Sequence, residues 1–293
     1  MSESLKTLEP TLQCMEMIGG NHQDSYLTRS PGLDVWVDSL PHSASAGGDV
    51  HLLSICGSGR VTRMVMADVA GHGESAQETA RLLRQLVRRH INHLDQTRLV
   101  REVNREFGRH AEEGRFATVL FMTYYAPTGH VIICNAGHIR PFHYSTRLGR
   151  WRPLDADIGD RGPSIRRETG TYGLQRVANL PLGIVEDTDY VQFEVHLDPG
   201  DLLVACSDAL TEAESPDGRM LGERGLLDLL VGLPVETPAG LGAGLLTAVD
   251  RFRGQSPPAD DQTLLVARRT DDPPPRLGLR QGLRLLRRLL RGQ

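Results

Sequence analysis

The stretch MVMADVAGHGESA, residues 64–76, runs an apolar segment into one aspartate, Asp68, then through Gly-His-Gly into residues with helix-forming character. Strands often end on Asp or Gly, so one such stretch carries little weight by itself. The same design recurs elsewhere. Asp208 closes DLLVACSDAL (201–210), and Asp49 follows two glycines at the head of the strand in SAGGDVHLLSI (45–55). Asp260 and Asp261 precede the last strand in PPADDQTLLV (257–266). Four strand ends thus each carry an aspartate beside small or turn-forming residues.

Gathered in space, such carboxylates would repel one another and hold their protons to higher pH unless a cation neutralised them. Mg²⁺ and Mn²⁺ are hard ions that prefer carboxylate, carbonyl and water oxygens. Two of them side by side can clamp a phosphoryl group and generate hydroxide at neutral pH. Glycines such as Gly48 and Gly71 let the backbone come close to ions or substrate.

Working outward, strands are expected at LDVWVDSL (33–40), VHLLSI (50–55) and RMVMADV (63–69). Helical spacing of Ala80, Leu83, Leu86 and Val87 marks a helix over 74–94, and a second follows over 96–111. FATVLFMTYYA and HVIICNAG flank the turn PTG, and VQFEVHL and DLLVACSDAL flank DPG, so both pairs read as hairpins. Helices are expected at 222–233 and 239–253, then a last strand, QTLLVARR (262–269). Strand hairpins alternating with helix pairs indicate antiparallel sheets covered by helices rather than a doubly wound parallel sheet. Residues 1–32 show no clear period and are taken as an N-terminal extension. Residues 145–180 read as an irregular connection.

The chain has 293 residues, a formal net charge of −4 and no CxxC pair among Cys14, Cys56, Cys134 and Cys206. This balance gives no basic field for nucleic acid, and the cysteines suggest neither a zinc ribbon nor a redox pair. With no apolar run of membrane-spanning length, a cytoplasmic protein is expected. DDPPPR ends the folded part as a stiff linker. Beyond it, 276–293 places Leu279, Leu283, Leu286 and Leu290 on one helical face among arginines, a basic amphipathic helix suited to an anionic membrane surface, a partner groove or its own domain.

These motifs, in this order, resemble the SpoIIE-like branch of the metal-dependent Ser/Thr protein phosphatases (PPM, or type 2C-like). AGGDV, ADVAGHG, VNREF, the 116–138 hairpin, LPLGI, PGDLLVACSDALTEAESPDGRMLG and DDQTLLV carry the resemblance over residues 35–268. It implies an α+β, four-layer αββα sandwich over 33–270, two mainly antiparallel sheets flanked by helices. It also implies a site holding two Mn²⁺ or Mg²⁺ ions through Asp49, Asp68, the Val69 carbonyl, Asp208 and Asp260, with Asp68 bridging. The implied reaction is attack of a metal-activated hydroxide on phosphoserine or phosphothreonine of a regulatory protein, typically an anti-sigma-factor antagonist, within stress-response signal transduction. Partners expected on this reading are that phosphoprotein, a membrane surface or protein at the tail, and a second copy in a homodimer.

Gly48, Gly71, His72 and Asp261 are accessory candidates. His72 reads either as a general acid or, since no partner for it is placed, as a structural loop residue. His138 reads as structural or near the site, Asn135 as a turn residue, and Arg115 as solvated rather than phosphate-binding. The resemblance departs at Ala209, where the family commonly has glycine. A positive φ there would strain alanine and would suit an inactive, binding-only phosphatase fold. GGD alone suggests a nucleotide cyclase, but that reading leaves Asp208 and DDQT unexplained. Helices 74–111, directly after the Asp68 loop, are placed to control metal binding by shifting their packing at Leu83 or Leu86.

Overall fold

The computed structural model describes residues 6–7, 17–42, 46–56, 59–71, 73–93, 95–110, 114–155, 179–254 and 256–273. His72 and the tail 276–293 lie outside the described residues, as do 156–178 of the segment read as an irregular connection.

The strands are β1 (Lys6–Thr7), β2 (Met17–Ile18), β3 (Asp24–Ser30), β4 (Leu33–Leu40), β5 (Val50–Cys56), β6 (Val61–Val69), β7 (Ala117–Tyr125), β8 (His130–Ala136), β9 (Phe142–Ser145), β10 (Arg150–Pro153), β11 (Gln192–His196), β12 (Leu202–Cys206) and β13 (Gln262–Arg269). The helices are α1 (Glu74–His90), α2 (Gln96–His110), α3 (Asp208–Thr211), α4 (Gly222–Val231) and α5 (Pro238–Phe252). One sheet has the order β11-β8-β7-β6-β5-β2 and the other β1-β3-β4-β13-β12-β9-β10. All pairings are antiparallel except β1 with β3.

Period-2 alternation sends the side chains of each strand into two different cores. From β6, Met64 and Met66 join Leu53 of β5 and Leu203, Ala205 and Leu265 of the other sheet in the core between the sheets. Val65, Ala67 and Val69 point the other way, onto Leu83, Leu86, Leu99, Val103 and Phe107 of α1 and α2. Leu202, Val204, Leu264 and Val266 pack under Leu226, Leu230, Leu241, Leu245 and Val249 of α4 and α5. The result is four layers, helices–sheet–sheet–helices, with three interlayer cores. The expected α+β sandwich is what the chain forms.

Local chemistry sets the element ends. Asp95 Oδ1 accepts from the backbone N–H groups of Thr97 (3.0 Å) and Arg98 (3.2 Å), capping α2. Thr237 accepts from Gly240 N at 3.1 Å and Pro238 follows it as the first residue of α5, a favourable start for a helix.

Three features differ from the sequence reading. The stretch taken as an extension supplies β2 and β3, and β3 pairs along its length with β4, so a boundary at residue 33 cuts a hairpin. Residues 142–153, partly inside the segment read as irregular, form the β9–β10 hairpin. Residue 209 lies in α3, and among the described residues only Asn179 combines a side chain with positive φ, so Ala209 is not strained in this way.

Gly242 of α5 sits against the Trp36 ring of β4, where an added Cβ would overlap the indole. In an open helix Gly→Ala gains about 1 kcal/mol. Here Gly242→Ala is expected to cost about 1–3 kcal/mol by overpacking. A lower urea midpoint at unchanged m would show it; a raised midpoint would contradict this packing.

Candidate metal centre

Antiparallel pairing gathers the aspartates. Val50 of β5 pairs with Ala67 of β6, which puts the head of β5 beside the tail of β6. Cys206 of β12 pairs with Leu264 of β13, which does the same in the other sheet. Asp49 and Asp68 therefore meet Asp208, Asp260 and Asp261 at one end of the sandwich. Asp68 carries the alternation of Met64 and Met66 forward and faces the space between the sheets.

The electrostatics are those of crowded carboxylates. Burial pushes Asp68 up to about 7, reinforced by Asp208, Asp260 and Asp261, each another negative charge. Asp208 is also raised, by burial and then by Glu212 and Asp260. Asp49 is 4% exposed and held far above the usual carboxylate range by burial, with Asp68 and Asp261 adding to it. The Thr263 and Ser207 hydroxyls partly offset this. Its Oδ2 is buried without a hydrogen-bond partner.

The two neighbouring aspartates at the head of β13 do different things. Asp261 is a clamp: its carboxylate accepts from the backbone N–H of His42 at 2.6 Å, and from Gly48 and Asp49. Gly47 lies so close that a Cβ there would overlap that carboxylate. Asp260 is exposed, and its Oδ1 accepts from Asp261 N at 2.7 Å. Gly48 is tightly placed, though less so, since a Cβ would come 3.0 Å from the Val69 carbonyl oxygen.

Arg115, read from sequence as solvated, instead braces the loop after β6. It donates to the Ala70 carbonyl at 3.1 Å and to the Ser75 hydroxyl. Gly71, at φ 103°, passes beside it where a Cβ would meet the guanidinium at 2.6 Å. Asn135 holds its turn through both amide atoms, accepting from His138 N at 2.7 Å and donating to His138 O at 2.9 Å. His138 is buried, and burial lowers it to about 4. Its Nδ1 is 3.0 Å from the hydroxyl of Thr118, the residue paired with Asp68 across the sheet. A cleft of about 440 Å³ opens beside the carboxylates, lined by His42, Ala46, Gly47, Gly48, Gly73, Ala259, Asp260 and Asp261.

Among the described residues, no three His, Cys, Asp or Glu side chains converge tightly enough to hold an ion by themselves. Mg²⁺-type sites commonly use one or two carboxylates, with water and carbonyl oxygens completing the shell. The unpartnered Asp49 oxygen, the crowding of Asp68 by Asp208 and Asp260, and the glycine approach to the Val69 carbonyl fit such a site. Asn21, His42, Ser207 and Thr263 escaped the sequence reading, since nothing local marks residues that act across the fold.

The model of the family described as Stage II sporulation protein E (SpoIIE) matches residues 58–270. The chain belongs to the SpoIIE family. Asp49 lies outside the matched range. The phosphoserine phosphatase RsbU of Bacillus subtilis is 24% identical over 225 residues, 74% of this chain and 59% of RsbU, so the chain spans less than two thirds of that relative. The structure of the RsbU and RsbW domains of Rv1364c from Mycobacterium tuberculosis is similar at TM-score 0.67 and 21% identity, over 95% of this chain and 70% of that one. The catalytic domain of the serine threonine protein phosphatase PstP, solved with two manganese ions, is similar at TM-score 0.53 and 17% identity, over 82% of this chain and 99% of that one. The sandwich is thus the fold of these phosphatases.

Between the ordinary carboxylate value of 3.8 and about 7, folded Asp68 binds more protons than unfolded Asp68. Its contribution to stability therefore falls as pH rises through that window. In chelator, Asp68→Asn is expected to flatten the decline in melting temperature between about pH 5 and about pH 7.5. Equal slopes for the two proteins would contradict the crowding of these carboxylates.

Proposed function

We propose that this SpoIIE-family chain is a metal-dependent phosphoprotein phosphatase that hydrolyses phosphoserine or phosphothreonine on a regulatory protein, with an anti-sigma-factor antagonist as the substrate class. The observation that carries the reading is the meeting of strand-end aspartates from both sheets around a buried, unpartnered Asp49 oxygen. The phosphoserine phosphatase RsbU and the manganese-bearing PstP domain support it by similarity.

Asp49, Asp68, Asp208 and Asp260, with the Val69 carbonyl, would hold two Mn²⁺ or Mg²⁺ ions. When bound, such ions supply charge compensation for the phosphoryl oxygens and activation of water. The chain's own residues do the positioning. Asp261 fixes the Gly48–Asp49 backbone, and Arg115 fixes the loop after Val69. The small residues Ala46, Gly47, Gly48, Gly73 and Ala259 keep the cleft open for a phosphorylated side chain on a protein surface. Catalysis of this kind is mostly placement and electrostatics. Among the described residues no helix is long and apolar enough to cross a membrane. The reading assigns the protein to the cytoplasm, where a regulatory phosphoprotein would meet it.

Hydrolysis of p-nitrophenyl phosphate with Mn²⁺ tests the reading. Wild type is expected to turn over, and Asp68→Asn and Asp208→Asn to lose on the order of 100-fold or more. A wild-type protein that neither hydrolyses the ester nor binds Mn²⁺ would overturn it.

A further inference from the structure

The Gly47–Asp49 loop is held from two directions. Asp261 grips it from the far sheet. From the near side comes the segment after β2, residues 19–21. Gly47 N donates to Asn21 O at 2.8 Å, and Asn21 Nδ2 donates to Gly47 O at 3.1 Å. One residue of the N-terminal segment thus satisfies both backbone groups of Gly47. A third bond runs from His51 N to Gly20 O at 2.9 Å, on the other side of Asp49. Upstream, β2 pairs with β5 through Met17–Ser54 and Ile18–Leu53. Gly19, at φ 105°, lets the segment press against β5, where an added Cβ would strike the His51 carbonyl. Asn21 is 5% exposed, and Gly47 is buried. All these residues except Asp261 precede the range matched by the family.

A diglycine has little stiffness of its own. Ionised Asp49 is repelled by Asp68 and Asp261. Something outside the loop must keep its carboxylate beside Asp68. We propose that Asn21 is a positioning residue that holds Asp49 for metal binding, acting through Gly47, and that the N-terminal segment is a working part of the metal centre. This inference rests on the metallophosphatase reading and deepens it. Asn21 touches neither substrate nor ion; it sets where Asp49 stands when the cation arrives. Without its amide, the buried Gly47 carbonyl loses its partner and the loop can yield to carboxylate repulsion.

The test compares Asn21→Ala with Ser30→Ala by Mn²⁺ calorimetry, thermal unfolding in chelator and Mn²⁺ activation of p-nitrophenyl phosphate hydrolysis. Ser30 is also buried in the N-terminal region; its hydroxyl donates to Leu33 O at 3.3 Å and accepts from Thr62. It lies outside the metal centre and controls for lost stability. Asn21→Ala is expected to weaken Mn²⁺ binding by about fivefold, the scale of one hydrogen bond. The Mn²⁺ needed for half-maximal activity should rise equally, with activity at saturating Mn²⁺ largely kept. Ser30→Ala should lower the melting temperature without altering Mn²⁺ affinity. If Asn21→Ala does not fold, Asn21→Leu, which keeps the branching of the side chain but has no amide, replaces it with the same expectation. Mn²⁺ affinity unchanged in a folded Asn21 variant would overturn the proposal while leaving the phosphatase reading intact. A wild-type protein without Mn²⁺ binding or hydrolysis would sink both.

Discussion

Mutual repulsion among carboxylates is the constraint on which the rest of this structure turns. Asp68 and Asp208 are both pushed above the usual carboxylate range, Asp49 is buried with one oxygen unpartnered, and Asp260 and Asp261 add further negative charge. Such a cluster is unstable alone and persists only if its members are fixed from outside. The two sheets do the fixing. Asp49 and Asp68 belong to adjacent ends of one sheet, while Asp208 and Asp260 belong to adjacent ends of the other. The core between the sheets, from Leu53 and Met66 to Leu203 and Leu265, holds the two ends face to face.

The same constraint explains the small residues around the site. Gly47 must lack a Cβ because the Asp261 carboxylate occupies that space, and at Gly48 a Cβ would crowd the Val69 carbonyl. The loops bear the charge, and their stiffness is borrowed. Asp261 supplies it from β13, Arg115 from the approach to β7, and Asn21 from the segment after β2. Val69 shares its core with Leu83 and Leu86, so the metal loop is also continuous with the packing of α1.

Much of this was legible in the sequence, for physical reasons. The near-continuous apolar runs in VHLLSI and RMVMADV report strands packed on both faces, and antiparallel hairpins bring strand heads and tails together, so aspartates at strand ends could be expected to meet. β3 was hidden because two of its three buried positions are polar: Tyr26, Thr28 and Ser30 are all buried, so DSYLTRS shows no apolar alternation. β10 was hidden because arginines flank Trp151. Arg115 looked like any surface arginine until β6 and β7 placed it against the Ala70 carbonyl. The division of labour between Asp260 and Asp261 depends on which of the two faces the diglycine loop, a matter of loop path rather than composition. Asn21 acts on Gly47 across 26 positions of chain, which local pattern does not reveal.

The most direct measurement is a calorimetric titration of Mn²⁺ into metal-free protein near neutral pH, repeated in buffers of different ionisation enthalpy. If the carboxylates hold protons in place of cations, binding must expel those protons. The account predicts saturable Mn²⁺ binding with net proton release, smaller in Asp68→Asn. Binding with no proton release, or no binding at all, would contradict it.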